Sequence, residues 1–312
     1  MADFTPPPTP APAAEAQPGP SNLRLRVIYA SLGAALLLGS VWFGPWTFGL
    51  FFAAVQAVML REFYRMMRAG GLHPPAAVGI GAGLLVFAGT FWFAHTGYGT
   101  SVDAQTGIET FFRAINGLYL RVLWTGLAVL VPVVLVLREI VAWPRYPSPF
   151  GNAGAALVGV CYVSVPMALL ALLAQGAAGY DYRRVFALFF LVWASDTGAY
   201  AAGKTFGRRK LAPRISPGKT WEGWAGGFLL TLLMGGALGY LLPDVPLAHL
   251  LVAAGVVAVF GPLGDLAESM LKRSVGVKDS GTFMPGHGGL LDRFDAFLLV
   301  LPVLALLQVL AG

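Results

Sequence analysis

The segment RRVFALFFLVWASDTGAYAAG, residues 183–203, decides the fold class of this 312-residue chain. After its two arginines the segment is apolar over a length close to the roughly 20 residues that cross the bilayer as a helix. Similar runs recur along the chain after residue 25. In the whole chain 57% of residues are hydrophobic and 12% are charged, against about 25% charged in soluble domains. A soluble fold has no means of burying that much apolar surface, so the sequence predicts an integral membrane protein.

The division of the chain follows from its apolar runs and their charged or Pro/Gly-rich breaks. Residues 1–22, rich in Pro and Ala, predict a disordered tail. We expect N-terminal transmembrane helices over 23–182 and a C-terminal transmembrane catalytic region over 183–312. The fold class is all-α, a polytopic membrane protein with about nine transmembrane helices, at 25–43, 46–61, 75–95, 117–137, 153–175, 183–203, 223–242, 247–266 and 288–310.

The distribution of positive charge predicts the orientation. Lysines and arginines follow the second, fourth, sixth and eighth predicted helices, and cytoplasmic connectors carry this excess. The N-terminus is therefore expected in the cytoplasm, in a multi-pass protein of the cell (inner) membrane. Because the net charge of +6 comes from these short connectors, membrane lipids are expected partners and nucleic acid is not. The single cysteine, Cys161, lies in an apolar run, and we interpret it as a small buried hydrophobic residue.

Carboxylates lie inside or at the edge of the later apolar runs. An intramembrane charge without a partner costs at least about 2.5 kcal/mol, so such groups are expected to face a cavity, a metal or a partner. The predicted topology brings Asp196, Asp265, Asp292 and Asp295 together at the cytoplasmic ends of three helices, with Asp265 almost at the end of its helix. Asp265 and Glu268 are three residues apart, as are Asp292 and Asp295, so each pair shares a helix face.

Clustered carboxylates repel one another unless a cation or a proton lies among them. Oxygen ligands without a cysteine or histidine cluster are typical of Mg²⁺ sites, so Asp265 and Asp292 are predicted metal ligands. Ion pairing is the alternative, and it stays open for two of the carboxylates. These are Glu268 and Asp295, with Lys272, Arg273 and Arg293 as candidate partners.

Two basic connectors flank these carboxylates, RRKLAPRISPGKTWEG at 208–223 and KRSVGVKDSGTFMPGHGG at 272–289. Their glycines allow backbone N–H groups to approach an anion, so carboxylates and connectors together predict a polyphosphate site. The octet GAYAAGKT at 198–205 matches the P-loop pattern but ends an apolar run instead of following a strand, which argues against a P-loop. His287 has no second histidine at ligand spacing, and Glu62 is interpreted as an interface anchor.

The segment SMLKRSVGVKDSGTFMPGHGGLLDRFD, residues 269–295, resembles the signature of the CDP-diacylglycerol synthase, or phosphatidate cytidylyltransferase, family. The pattern is S-x-x-K-R, then K-D, then P-x-H-G-G-x-x-D-R-x-D, and every position is filled. Supporting matches are SDTGAY at 195–200, SPGKTWEG at 216–223 and GDLAES at 264–269. The first five predicted helices match the family only in being hydrophobic.

This resemblance implies a transferase that moves CMP from CTP to phosphatidic acid, giving CDP-diacylglycerol and pyrophosphate. It implies Mg²⁺ at Asp265 and Asp292, with room for a second cation, and a homodimer. Phosphate-binding residues by motif position are Ser216, Lys219, Thr220, Lys272, Arg273, Lys278 and His287. Catalytic residues by motif position are Asp196, Lys219, Glu268, Lys272, Arg273, Lys278, Asp279, His287, Arg293 and Asp295.

Two alternatives stay open at this point. A cytidylyltransferase of another lipid phosphate, such as an ether-lipid or polyprenyl phosphate, would carry the same nucleotide and metal residues. An ion-coupled transporter would also hold carboxylates within the bilayer, but it is expected to show paired broken helices in two halves and sites near the midplane. Here the charges lie at one face of one half, which favours the enzyme.

Overall fold

A computed structural model of the chain describes residues 20–97, 107–176, 178–281 and 288–310. Over these ranges the chain forms nine long helices and two short β-hairpins, which agrees with the predicted all-α class. The predicted tail lies outside the described residues up to residue 19. The helices are α1 Pro20–Trp42, α2 Pro45–Ala69, α3 Ala76–Gly97, α4 Gly107–Ala142, α5 Pro149–Leu173, α6 Tyr182–Phe206, α7 Trp221–Ala237, α8 Leu247–Ser274 and α9 Leu291–Leu310.

Seven of these helices, α3 to α9, are long and apolar enough to cross a membrane, judged over the described residues by length and composition. Helix α1 contributes the shorter apolar stretch Ser31–Trp42. Helix α2 is apolar in its first half, whereas its second half carries Arg61, Glu62, Arg65 and Arg68. The chain is therefore a polytopic membrane protein whose second helix has a charged end.

Two helices of the C-terminal half begin with side-chain caps, which satisfy backbone N–H groups that have no partner within the helix. Asp181 precedes α6 and its Oδ1 accepts a hydrogen bond from the Arg183 N–H at 3.0 Å. Thr220 precedes α7 and its Oγ1 accepts from the Gly223 N–H at 3.1 Å. Burial alone would raise the pKa of Asp181, but the hydrogen bonds and charge of Arg183 hold that pKa below its usual value.

The hairpins occupy opposite ends of α6. Strands β1 Gln175–Gly176 and β2 Gly179–Tyr180 pair before this helix, and β3 Lys210–Ala212 and β4 Ser216–Thr220 pair after it, both antiparallel. The P-loop-like octet 198–205 lies inside α6, so its backbone is helical and cannot form a phosphate-binding loop.

Glycines let the helices of the C-terminal half approach closely, as small residues do in membrane bundles. A Cβ atom added to Gly198 of α6 would lie 2.7 Å from the Gly226 carbonyl oxygen of α7. One added to Gly264 of α8 would lie 2.5 Å from the Asp295 carbonyl oxygen of α9. Because α8 and α9 touch at Gly264, the neighbouring Asp265 is brought beside Asp295.

The basic connectors lie on one face of the bundle. The connector after α2 contacts the segment after α8, since a Cβ on Gly70 would lie 2.8 Å from the Val275 side chain. The His73 ring also stacks on Tyr146, in the connector after α4, with ring centroids 4.9 Å apart. This arrangement agrees with the alternation predicted from charge. That this face is cytoplasmic stays a prediction.

Helix α2 passes through the core between the two halves. Its Phe52 ring packs edge-on against Phe294 of α9 at 6.1 Å, and its Tyr64 hydroxyl donates to the Ala156 carbonyl of α5 at 2.8 Å. One prediction for the N-terminal half is wrong: Cys161 is exposed. It lies in the π-helical turn Val160–Ser164 of α5, which directs it away from the core that its neighbours Val160 and Val163 occupy.

Candidate active site

The first half of the site is a lysine–carboxylate pair held by a hairpin and a helix. Strand β4 places Lys219 over α8, where its Nζ lies 2.6 Å from Asp265 Oδ2 and donates to the Pro262 carbonyl at 3.2 Å. Proline at 262 removes the helical hydrogen bond to the Ala258 carbonyl, and the Trp224 indole N–H donates to that oxygen instead, at 3.1 Å. These contacts fix the hairpin and α7 against α8.

A cavity of about 440 Å³ opens beside this pair. Its walls come from α6, both strands of the β3–β4 hairpin, α7 and α8, and they include Asp196, Lys219 and Asp265. Ligand cavities usually measure about 300–1,000 Å³. The cavity is therefore large enough for a nucleotide phosphate group. Its lining contains both acidic and basic side chains, which suit such a group.

The second half of the site surrounds Lys272 of α8. Its Nζ lies 2.7 Å from Glu268 Oε2 and 2.7 Å from Asp292 Oδ1. The other oxygen of Asp292 accepts from the backbone N–H groups of Gly289 at 2.8 Å and Ser280 at 3.2 Å. Charged groups with hydrogen bonds on both sides are held firmly in one position. Asp292 is thus fixed by the loop in front of it and by the helix beside it.

Gly288 explains why a glycine precedes this aspartate. Its φ is 80°, a left-handed conformation that costs other residues free energy. A Cβ at this position would also lie 2.6 Å from Asp292 Oδ2. The loop needs glycine both for its turn and for the space that the carboxylate fills.

The two halves are joined through Asp295, one turn after Asp292 on α9. Asp295 interacts electrostatically with Asp196 and Asp265, and Glu268 interacts with Asp292 and Asp295. Helices α6, α8 and α9 therefore bring their carboxylates together, as the predicted topology required. One detail was wrong: α8 runs on to Ser274, because its polar last turns still pack on the loop. Asp265 consequently lies about 14 Å of helix rise before the end instead of almost at it.

The remaining predicted residues differ in exposure, and the structure describes all of them but one. The Arg273 guanidinium donates to the Val277 carbonyl at 3.1 Å, and Lys278 and Asp279 are exposed in the loop. Thr220 lines the cavity while it caps α7. Ser216 begins β4 and Arg293 is exposed on the first turn of α9. The exception is His287, which lies outside the described residues.

The predicted metal ligands do not share a ready-made site. Within the described ranges, no three His, Cys, Asp or Glu side chains converge as a metal-binding group. Asp265 and Asp292 pair with different lysines, Lys219 and Lys272, which neutralise them. The donor chemistry nevertheless fits a hard cation, since the donors are all carboxylates and the buried Oε1 of Glu268 has no hydrogen-bond partner. Magnesium at Asp265 and Asp292 stays a prediction. The Lys272 contact supports ion pairing for Glu268.

Glu62 is not among the site residues predicted from the sequence, yet it adjoins the site. It was interpreted as an interface anchor, but only 5% of it is exposed, because α2 packs against the start of α9. Its Oε2 accepts from the Leu291 N–H at 2.9 Å, so it adjoins the loop that holds Asp292. The available signal was that Glu62 is the one acidic residue in the α2 sequence, and it follows an apolar run as Asp196 does.

Comparison with known proteins identifies the family of the chain. The model of the cytidylyltransferase family matches residues 24–310. The chain belongs to the cytidylyltransferase family. A similar relative in this family is the phosphatidate cytidylyltransferase of Bacillus subtilis, 33% identical over 288 residues, which are 91% of this chain and 96% of that protein. The phosphatidate cytidylyltransferase of Staphylococcus aureus (strain COL) is 42% identical over 161 residues, 51% of this chain and 60% of that protein.

Proposed function

We propose that the protein transfers the cytidylyl group of CTP to phosphatidate, forming CDP-diacylglycerol and releasing pyrophosphate. The observation that carries the proposal is the cluster in which Lys219 and Lys272 form ion pairs with carboxylates of α8 and α9, beside Asp196 of α6. Membership of the cytidylyltransferase family and the name of the Bacillus subtilis relative support the nucleotide and the acceptor.

The reaction asks the protein for position and charge. An anionic phosphate oxygen of phosphatidate attacks the α-phosphorus of CTP; the new P–O bond forms as the bond to the β-phosphate breaks, and pyrophosphate leaves. Negative charge grows on the leaving group, and fixed cations stabilise it. Lys219 and Lys272 are placed for this work, because their present partners are carboxylates that a polyphosphate would compete with.

The carboxylates hold these lysines ready and complete the charge balance. Asp265 and Asp292 would hold Mg²⁺, which would supply positive charge to offset that of the phosphates. Asp196 lines the cavity, and Asp295 interacts electrostatically with Asp196 and Asp265. Exposed Lys278 and Arg273 at the rim meet incoming phosphates first.

The setting in the cell is part of the proposal. The basic connectors lie on one face, which by the distribution of lysine and arginine is the cytoplasmic face of the cell membrane. CTP then arrives from the cytosol, and phosphatidate enters sideways from the same leaflet. A homodimer, as the family resemblance implies, completes the proposal, and cross-linking in membranes tests it.

A pyrophosphate-release assay tests the function. Purified protein is given Mg²⁺, CTP and phosphatidate in mixed micelles, with ATP, GTP and UTP as nucleotide controls. Polyprenyl phosphate and an ether-linked phosphatidate are the acceptor controls. We expect release with CTP and phosphatidate, and none after Asp265→Asn or Asp292→Asn in folded protein. Faster pyrophosphate release with polyprenyl phosphate than with phosphatidate would contradict the assignment of phosphatidate as the acceptor. No release with any mixture that contains CTP would contradict the proposed function.

A further inference from the structure

Glu62 of α2 contacts the described ends of the loop between α8 and α9, residues 275–281 and 288–290, and the start of α9, more than 200 residues away in the sequence. Besides the Leu291 N–H at 2.9 Å, its Oε2 lies 3.5 Å from the Ser280 hydroxyl. Leu291 is the first residue of α9, so its N–H has no partner within the helix. The carboxylate thus caps a helix of the other half of the molecule, where its negative charge is also favoured by the helix dipole.

The two described ends of the loop pack closely against this carboxylate. A Cβ on Gly281 would lie 2.1 Å from Glu62 Oε1, and a Cβ on Gly289 would lie 2.5 Å from Oε2. One turn further along α2, the Arg65 guanidinium donates to the Ser280 carbonyl at 2.8 Å. Both ends of the described loop therefore touch Glu62, and one end is also held by Arg65.

The same loop residues hold Asp292. Ser280 accepts from Arg65 through its carbonyl and donates to Asp292 through its N–H, at 3.2 Å. Gly289 abuts Glu62 and donates to Asp292 at 2.8 Å. Asp292 in turn pairs with Lys272. A chain of contacts at hydrogen-bond distance leads from Glu62 to the charged centre of the site.

We propose that Glu62 is a positioning residue, which sets the loop ends 280–281 and 288–291 so that Asp292 and Lys272 take their catalytic positions. The proposal rests on the proposed function for its activity test. It assigns to the N-terminal half of the chain, in which the sequence alone placed no site residue, a direct part in building the site. Positioning requires an acceptor oxygen at the distance from α2 that a glutamate side chain spans. It depends on this oxygen more than on the negative charge.

This requirement separates positioning from a general contribution to stability. Glutamine has the length of glutamate, and its carbonyl oxygen in the place of Oε2 remains an acceptor for both the Leu291 N–H and the Ser280 hydroxyl. Aspartate keeps the charge but is one methylene shorter, so it withdraws from Leu291. A displacement of about 1 Å in a catalytic group can reduce turnover by about 100-fold. We expect Glu62→Gln to stay within about 10-fold of wild type and Glu62→Asp to lose about 100-fold in kcat.

Glu139 provides the matched control. It is also a glutamate with 5% exposure in the N-terminal half, and it pairs with Arg138 and Asn152 away from the loop. Glu139→Asp is expected to lower the melting temperature while kcat per folded molecule stays at the wild-type level. Hydrogen–deuterium exchange without substrates is the second measurement: Glu62→Asp should speed exchange of peptides covering 278–292, and Glu139→Asp should not.

The outcomes are distinct. The positioning role would be overturned if Glu62→Asp were as active as Glu62→Gln. It would also be overturned if Glu139→Asp lost as much kcat as Glu62→Asp. Unchanged exchange over 278–292 in Glu62→Asp would overturn it as well, even if the wild-type protein released no pyrophosphate. If the wild-type protein released no pyrophosphate with any substrate, that result would count against the proposed function alone.

Discussion

Replacing Lys272 by methionine removes the cation that bridges Glu268 and Asp292. The side chains of Lys272, Glu268 and Asp292 are only 11%, 1% and 11% exposed, so water cannot screen the two carboxylates that remain. Removing one partner of a buried ion pair costs about 3–5 kcal/mol. Methionine keeps the length and the apolar stem of lysine, so the cost comes from the lost charge and its hydrogen bonds.

Thermal unfolding in detergent measures this effect. Because the unfolding entropy is about 2.1 cal/mol/K per residue, a loss of 1 kcal/mol lowers the Tm of a 312-residue chain by about 1.5 °C, and we expect a fall of about 5–8 °C for Lys272→Met. Adding Glu268→Gln to Lys272→Met removes one of the two repelling charges and should restore part of the loss. Both variants should be inactive, because each lacks a phosphate-binding cation.

The order of the melting temperatures decides the interpretation. Wild type should melt highest, the double variant next and Lys272→Met lowest. Two results would show that the buried lysine–carboxylate bridge is not the source of stability. One is a wild-type melting temperature for Lys272→Met, and the other is a double variant that melts below Lys272→Met.

Three further predictions concern the cavity, the loop and the far end of α6. Lys219→Met breaks an ion pair whose side chains are 24% and 43% exposed, so it should change Tm little but lower kcat/KM for CTP by about 100-fold; a normal kcat/KM would contradict the phosphate role of Lys219. Gly288→Ala forces a left-handed alanine against Asp292, so turnover should fall steeply in folded protein, and full activity would refute the fixed position of Asp292. Since the folded-state pKa of Asp181 is below its unfolded value of about 3.9, Asp181 stabilises the fold above that value, and this stability is lost as pH falls through the folded-state pKa. Asp181→Asn should therefore have a lower Tm than the wild type at pH 7, and the difference in Tm should shrink in acid. A difference in Tm that stayed constant with pH would contradict this role of Asp181.

The apolar pattern of the sequence predicted about nine transmembrane helices; over the described residues nine long helices form, and seven of them are long and apolar enough to cross a membrane. Each run that is long enough to span hydrocarbon became a helix, and alternate basic connectors came to lie on one face. The convergence of Asp196, Asp265, Asp292 and Asp295 also followed, because residues at the same ends of neighbouring spans must meet.

Side-chain partners were not predictable in the same way. A run of apolar residues says little about how a helix is rotated or which neighbour it packs against, so the pairing of Asp265 with Lys219 and of Asp292 with Lys272 came only from the structure. Glu62 was missed for the same reason, since its partners are more than 200 residues away. Cys161 was placed on the wrong side of α5 because nearly every residue around it is apolar.

The central claim is that the cytidylyl group, and not another phosphoryl group, passes to the lipid. CTP labelled with ³²P at the α-phosphate and CTP labelled at the γ-phosphate are each incubated with the protein, Mg²⁺ and phosphatidate, and the lipids are extracted. We predict α-label in the lipid fraction and γ-label only in released pyrophosphate. The appearance of γ-label in the lipid, or of neither label, would contradict cytidylyl transfer.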